Sequence, residues 1–179
     1  MRINLLILLA ISSFILFSCD DGINLSECGS EIIEMPCYDS TSHLIWSEKY
    51  DWMFWEPAID HCTGLNSSHY GGFSSGWHLP TIGELRTLIQ NCSNTQMPDG
   101  SCNAIDSCSL SDEYVNDACS GCAYDKNNPG QYSKFGDTER FWSSSIVEGS
   151  CDVYHVDFNN GSVDTFPNDG KNFYVRCVR

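Results

Sequence analysis

Apolar positions change their period along the chain, and each change marks an element. Residues 31–38 and 43–49 read as two short strands around the polar turn Asp39-Ser40-Thr41-Ser42. Trp55, Ala58, Ile59, Cys62 and Leu65 then recur at the spacing of an amphipathic helix. Pro57 is acceptable there because it falls in the first turn, where its missing N–H has no intrahelical partner to lose. A Gly-rich turn over 71–76 leads to a second helix, announced by Thr81-Ile82-Gly83-Glu84, a Ser/Thr-x-x-Glu capping box. Ile82, Leu85, Leu88 and Ile89 give this helix its apolar face. From Cys92 to Glu139, 27 of 48 residues are Ser, Asp, Asn, Cys or Gly, so the stretch cannot bury a core of its own. Five cysteines lie in it, and it reads as a long loop stapled by disulfides. Strands are expected over 140–147, 152–159, 162–166 and 173–178, with Tyr154, Val156 and Phe158 on one face. Asn160-Gly161 joins the middle two as a type I′ hairpin turn.

Composition sets the class. With 41% hydrophobic and 12% aromatic residues, 179 residues suffice for one globular core. Lys plus Arg number 9 against 24 Asp plus Glu, and without Arg2 of the N-terminal segment the balance is 8 − 24 = −16. That charge excludes a nucleic-acid partner. Eleven cysteines in a small acidic chain point to an oxidising compartment.

The first 18 residues carry one positive charge, Arg2, ahead of the apolar run 5–11 and a second apolar patch, 14–17, which is the pattern of a secretory signal. The segment ends Leu16-Phe17-Ser18-Cys19 and resembles a bacterial lipoprotein signal, in which a small residue precedes the lipidated cysteine. An ordinary cleaved signal, with Cys19 free or bonded, is the alternative. The expected organisation is a signal over 1–18, lipidated Cys19 and a tether through 30, and one domain over 31–179 with the insertion 92–139. With Cys19 carrying lipid, the remaining ten cysteines can close five disulfides. The membrane is then a partner through the lipid anchor, and the location is the cell envelope, at the outer membrane or cell surface.

Six blocks in order carry a family resemblance: Leu44-Ile45-Trp46, Trp55-Glu56-Pro57-Ala58-Ile59-Asp60-His61-Cys62, Trp77-His78-Leu79-Pro80-Thr81 with Glu84-Leu85, Phe141-Trp142-Ser143-Ser144-Ser145, Tyr154-His155-Val156-Asp157-Phe158 with Gly161, and Val175-Arg176-Cys177-Val178-Arg179. Their order and spacing resemble the Lcl C-terminal domain family, which is similar to C-type-lectin-like domains and, more distantly, to formylglycine-generating enzymes. The resemblance implies an α+β, C-type-lectin-like fold: two helices, small antiparallel sheets and a long loop before the later strands. It also implies a disulfide from the first helix to the last strand, here Cys62 to Cys177. If Cys28 closes on Cys37, then Cys92, Cys102, Cys108, Cys119, Cys122 and Cys151 remain, and parity requires a bond from the insertion to Cys151. The expected role is a binding or adhesion module for an extracellular glycan or matrix protein, without catalysis. A structural envelope lipoprotein and a formylglycine-generating-like oxidase are the rivals.

Candidate chemistry is sparse. Asp157, Asn159 and Asp164 offer the hard oxygens that calcium takes in sets of six to eight, and no other cofactor is implied; an acidic sheet edge is the plainer reading. Gln96-Met97-Pro98-Asp99 departs by its methionine from the Gln-Pro-Asp of calcium-dependent lectins. Cys119-Ser120-Gly121-Cys122 has redox or zinc spacing, with structural disulfides as the competing use. His61, His69 and His78 read as surface histidines rather than ligands, and Ser143, Ser144 and Ser145, without a GxSxG context, as sheet packing beside a helix. Trp46, Trp55, Trp77 and Trp142 belong to the core, whereas Tyr50, Trp52 and Phe54 are the wetter aromatics. A polyanionic ligand requires Lys126, Lys134, Arg140, Lys171, Arg176 and Arg179 to gather in one patch.

Overall fold

The computed structural model describes residues 23–29, 35–106 and 115–179. The signal 1–18, Cys19, Cys108 and the start of the first expected strand lie outside these residues. Chain order is β1 (Ser26–Glu27), β2 (Cys37–Asp39), β3 (Leu44–Trp46), β4 (Tyr50–Met53), α1 (Trp55–Ser67), α2 (Ile82–Arg86), β5 (Arg140–Ile146), β6 (Asp152–Asp157), β7 (Ser162–Pro167) and β8 (Phe173–Val175). This is an α+β fold with two helices and two small sheets among the described residues. One sheet runs β1-β2-β3 and the other β4-β8-β5-β6-β7. Both are mixed rather than antiparallel, because β1 pairs parallel with β2 and β8 enters between β4 and β5, parallel to β5.

The central strands of the larger sheet, β8, β5 and β6, are buried on both faces. Period-two alternation sends Phe141, Tyr154 and Val156 to the side of α2, where Ile82 and Leu85 cover them, and sends Trp142, Val153, Phe173 and Val175 to the side of α1, against Ala58 and Cys62. Each large apolar side chain buried this way contributes roughly 2 to 3 kcal/mol. On β6 the second face also carries His155, only 3% exposed.

Helix α1 forms where the apolar spacing places it. Trp55, Ala58, Cys62 and Leu65 are its buried stripe, and the Phe54 carbonyl accepts the Ala58 N–H at 3.1 Å to open the first turn. Helix α2 starts on the capping box: Thr81 Oγ1 accepts from the Glu84 N–H at 3.2 Å, and Glu84 Oε2 accepts from the Thr81 N–H at 2.8 Å. It is shorter than its apolar period. Leu88 and Ile89 bond three residues back instead of four, because the insertion claims the next groups: the Leu88 carbonyl accepts from Lys134, and the Gln90 N–H donates to the Tyr132 carbonyl.

Other departures have local causes as well. The hairpin after β6 has four loop residues, since Asp157 pairs with Ser162; the Phe158 N–H is already bonded to the Glu139 carbonyl, and Gly161 takes the left-handed position at φ +67°. The segment expected as a tether joins the fold. Ile23 and Leu25 pack against the α1 core, and β1 is bonded to β2 and crosslinked to it by Cys28–Cys37.

The disulfides bind distant parts of the chain. Cys62–Cys177 ties α1 to the C-terminus across 115 residues, and Cys92–Cys122 and Cys102–Cys119 close the insertion on itself. Loop closure on these scales contributes about 3 to 5 kcal/mol per bond by restricting the unfolded chain. Among the described residues Cys151 is an exposed free thiol at the β5–β6 turn. The insertion satisfies four of its five cysteines internally, and the fifth, Cys108, lies outside the described residues.

Candidate binding site

Aromatic side chains reach water at the corner where β4 runs into α1. Trp46, Trp55, Trp77 and Trp142 are at most 7% exposed, but Trp52 is 60% exposed and Phe54 49%. Two indoles explain the contrast. Trp142 Nε1 donates to the Met53 carbonyl at 2.9 Å, and Trp55 Nε1 donates to the Ser143 carbonyl at 2.8 Å. The residues on both sides of Phe54 are thereby pinned inward, and the extended backbone at Phe54 turns its ring out.

Packing behind β4 holds the corner from within. The Tyr50 and His61 rings meet edge to face at 4.1 Å, and the Tyr70 hydroxyl donates to Glu48 Oε2. Burial, reinforced by the Glu48 carboxylate, pushes both phenols well above their usual range. Burial pulls the His61 imidazole down against the opposing pull of Glu48.

In front of this frame lies an open cleft of about 420 Å³, lined by Phe54 at the head of α1, by Glu56 and Pro57 in its first turn, and by Asn168 and Asp169 from the β7–β8 turn. That turn is held by the Asn168 N–H on the Cys151 carbonyl at 3.1 Å and the Gly170 N–H on the Pro167 carbonyl at 3.1 Å. Glu56 and Asp169 are exposed. The lining combines an aromatic face with hydrogen-bond acceptors, which suits stacking and recognition of polar groups rather than bond-breaking chemistry.

The remaining candidates have structural partners. Asp157 Oδ2 takes the Arg140 Nε at 2.8 Å, and its Oδ1 takes the backbone and side-chain N–H groups of Asn159 at 3.0 and 3.1 Å. Asp164 lies across from His155 on β7, its Oδ1 accepting the Thr165 N–H. Of the calcium candidates Asp157, Asn159 and Asp164, Asp157 is thus paired with Arg140 and bonded to Asn159. Among the described residues no three His, Cys, Asp or Glu side chains gather as a metal group. Cys119 and Cys122 enter different disulfides, so the CxxC spacing serves crosslinking. The serine run frames the sheet: Ser143 Oγ donates to the Tyr154 carbonyl, while Ser145 Oγ accepts the Ile82 N–H at the start of α2 and donates to Asp106.

Basic residues are also committed. Lys134 pairs with Asp39 at 2.7 Å, Arg179 lies over Phe73 at 4.0 Å, and Arg176 is buried against Asp137 with its guanidinium 4.4 Å from the Phe135 ring. Of the six basic candidates, Lys134, Arg140 and Arg176 thus face carboxylates. His78 keeps an ion-pair partner, its Nε2 lying 3.0 Å from Glu84, whose hydrogen bond raises the imidazole pKa.

Arg86 is the organising residue that sequence reading missed. It is 3% exposed, and its guanidinium donates to the carbonyls of Thr95, Ala104 and Cys102, holding the insertion to α2. Its place beside the apolar stripe of α2 is the one signal for it, and that signal also fits a helix-end cation. Arg176, one of the six residues named for a basic patch, is buried on a partner 39 residues away that no local pattern supplies.

Fold and site thus define an α+β module, crosslinked by disulfides, with an aromatic corner on a rigid frame. The chain belongs to the Lcl C-terminal domain family, whose model matches residues 36–179, from just before β2 to the C-terminus. A comparison with curated proteins gives no match.

Proposed function

We propose that this protein is a lipid-anchored, envelope-facing binding module that uses the β4–α1 corner to hold an extracellular glycan or matrix protein. One observation carries the reading: Trp52 and Phe54 stand in water beside a cleft while the other four tryptophans are buried. Exposing two large aromatics forgoes roughly 2 kcal/mol of burial each, and a ligand that stacks on them recovers it. The signal-like segment ending at Cys19 and the disulfide density support a place outside the cytoplasm. The frame supports recognition by exposed corners and loops, as rigid scaffolds generally do.

The test is binding of the purified, oxidised full-length protein to an array of glycans and matrix proteins, at low and high salt, with calcium and with chelator. Selective binding unaffected by chelator is expected, since the cleft lining contains no metal group. A blank array under all conditions contradicts the reading and favours a purely structural envelope protein.

A further inference from the structure

We infer that the cleft between α1 and the β7–β8 turn takes a cationic group, the lysine or arginine side chain of an extended segment of a protein ligand; this rests on the binding-module reading and names its ligand chemistry. Two carboxylates, Glu56 and Asp169, line the cleft together with Phe54, and no basic side chain lines it. Lys171, the nearest cation in sequence, is directed over the Phe166 ring at 5.1 Å. The amino end of α1 adds a positive partial charge of roughly half a unit, too small to offset two carboxylates. The cleft therefore sits at net negative potential, and the formal charge of −15 extends that field around the molecule.

The aromatic faces select among neutral and charged ligands in the same direction. A cation over Phe54 or Trp52 gains cation–π attraction of about 0.5 to 2 kcal/mol, which an uncharged hydroxyl does not. Shape favours an extended chain over a compact amine. β4 is the terminal strand of its sheet, with Trp52 exposed on it two residues before Phe54, so a peptide can lie along the strand while one side chain enters the cleft.

The experiment titrates the full-length protein, in detergent, with an acetylated and amidated Gly-Lys repeat hexapeptide, the matching Gly-Glu peptide, and a neutral glucose hexasaccharide. Trp52 fluorescence reports occupancy, since the other tryptophans are buried. The lysine peptide is expected to shift the emission saturably and to lose about tenfold in affinity between roughly 50 and 300 mM salt. Glu56→Gln combined with Asp169→Asn is expected to weaken it about tenfold, and Phe54→Leu several-fold, both with unchanged unfolding midpoints. Equal or tighter binding of the acidic peptide or the hexasaccharide, no binding of any probe, or a double variant that binds the lysine peptide like wild type would overturn the assignment. Array binding that survives the double variant would overturn this cleft chemistry while leaving the binding-module reading standing. A blank array with intact peptide binding would do the reverse.

Discussion

His155 is a buried imidazole on β6 whose surroundings hold it neutral. It lies 4.8 Å from the Phe173 ring and 6.4 Å from Trp142, its Nδ1 has no partner among the described residues, and burial lowers its pKa to about 4. Asp164 and Asp157 pull the other way and Arg140 assists, but burial dominates. The unfolded chain takes up this proton near 6.5, the folded chain only near 4, so the stability it contributes is full above pH 6.5 and is lost as pH falls toward 4. The difference amounts to about 3 kcal/mol. Denaturant unfolding at pH 7, 5 and 4 is expected to show this loss in the wild type and a much flatter profile in His155→Leu; parallel profiles would contradict it. At Arg86 the expectation is independent of pH. Arg86→Ala leaves three buried carbonyls without their donor and is expected to lower stability by about 3 kcal/mol and to admit proteolysis within 92–106. A variant as stable and as resistant as wild type would show that the insertion holds itself.

At the scale of elements, the capping box is the feature most directly written in the chain. Thr81→Ala removes the acceptor for the Glu84 N–H and is expected to cost about 1 kcal/mol in an unfolding titration. No change would mean that Ser145, which accepts the Ile82 N–H, is cap enough. Helix α1, the later strands and the apolar faces were legible because local period and local burial agree there. The early end of α2 was not, because a distant segment bonds to Leu88 and Gln90 and overrides a continuous apolar stripe. The hairpin turn was misread for a similar reason: Asn-Gly favours a two-residue loop, but the Phe158 N–H is held by Glu139 from outside the hairpin. The candidate site was half legible. Trp52 and Phe54 stood out as wet aromatics by their place before the helix, whereas Asn168 and Asp169 come from 112 or more residues further on and no local pattern joins them to Glu56.

The described molecule is built on a sheet whose central strands are buried on both faces, closed by crosslinks of widely different span. Peptide mapping without reduction is expected to return Cys28–Cys37, Cys62–Cys177, Cys92–Cys122 and Cys102–Cys119, with Cys151 open to alkylation in the native state. A crosslinked Cys151 peptide would contradict that pattern. Crosslinks and buried indoles together make the β4–α1 corner a fixed surface, and this is the surface expected to bind. The measurement that tests it most directly compares wild type with a Trp52→Ala and Phe54→Ala double variant on the same glycan and matrix-protein array, with unfolding midpoints recorded in parallel. The account predicts at least about a tenfold loss of binding with little change in midpoint, because both side chains are exposed. Undiminished binding by a folded double variant would place recognition elsewhere on the molecule and contradict it.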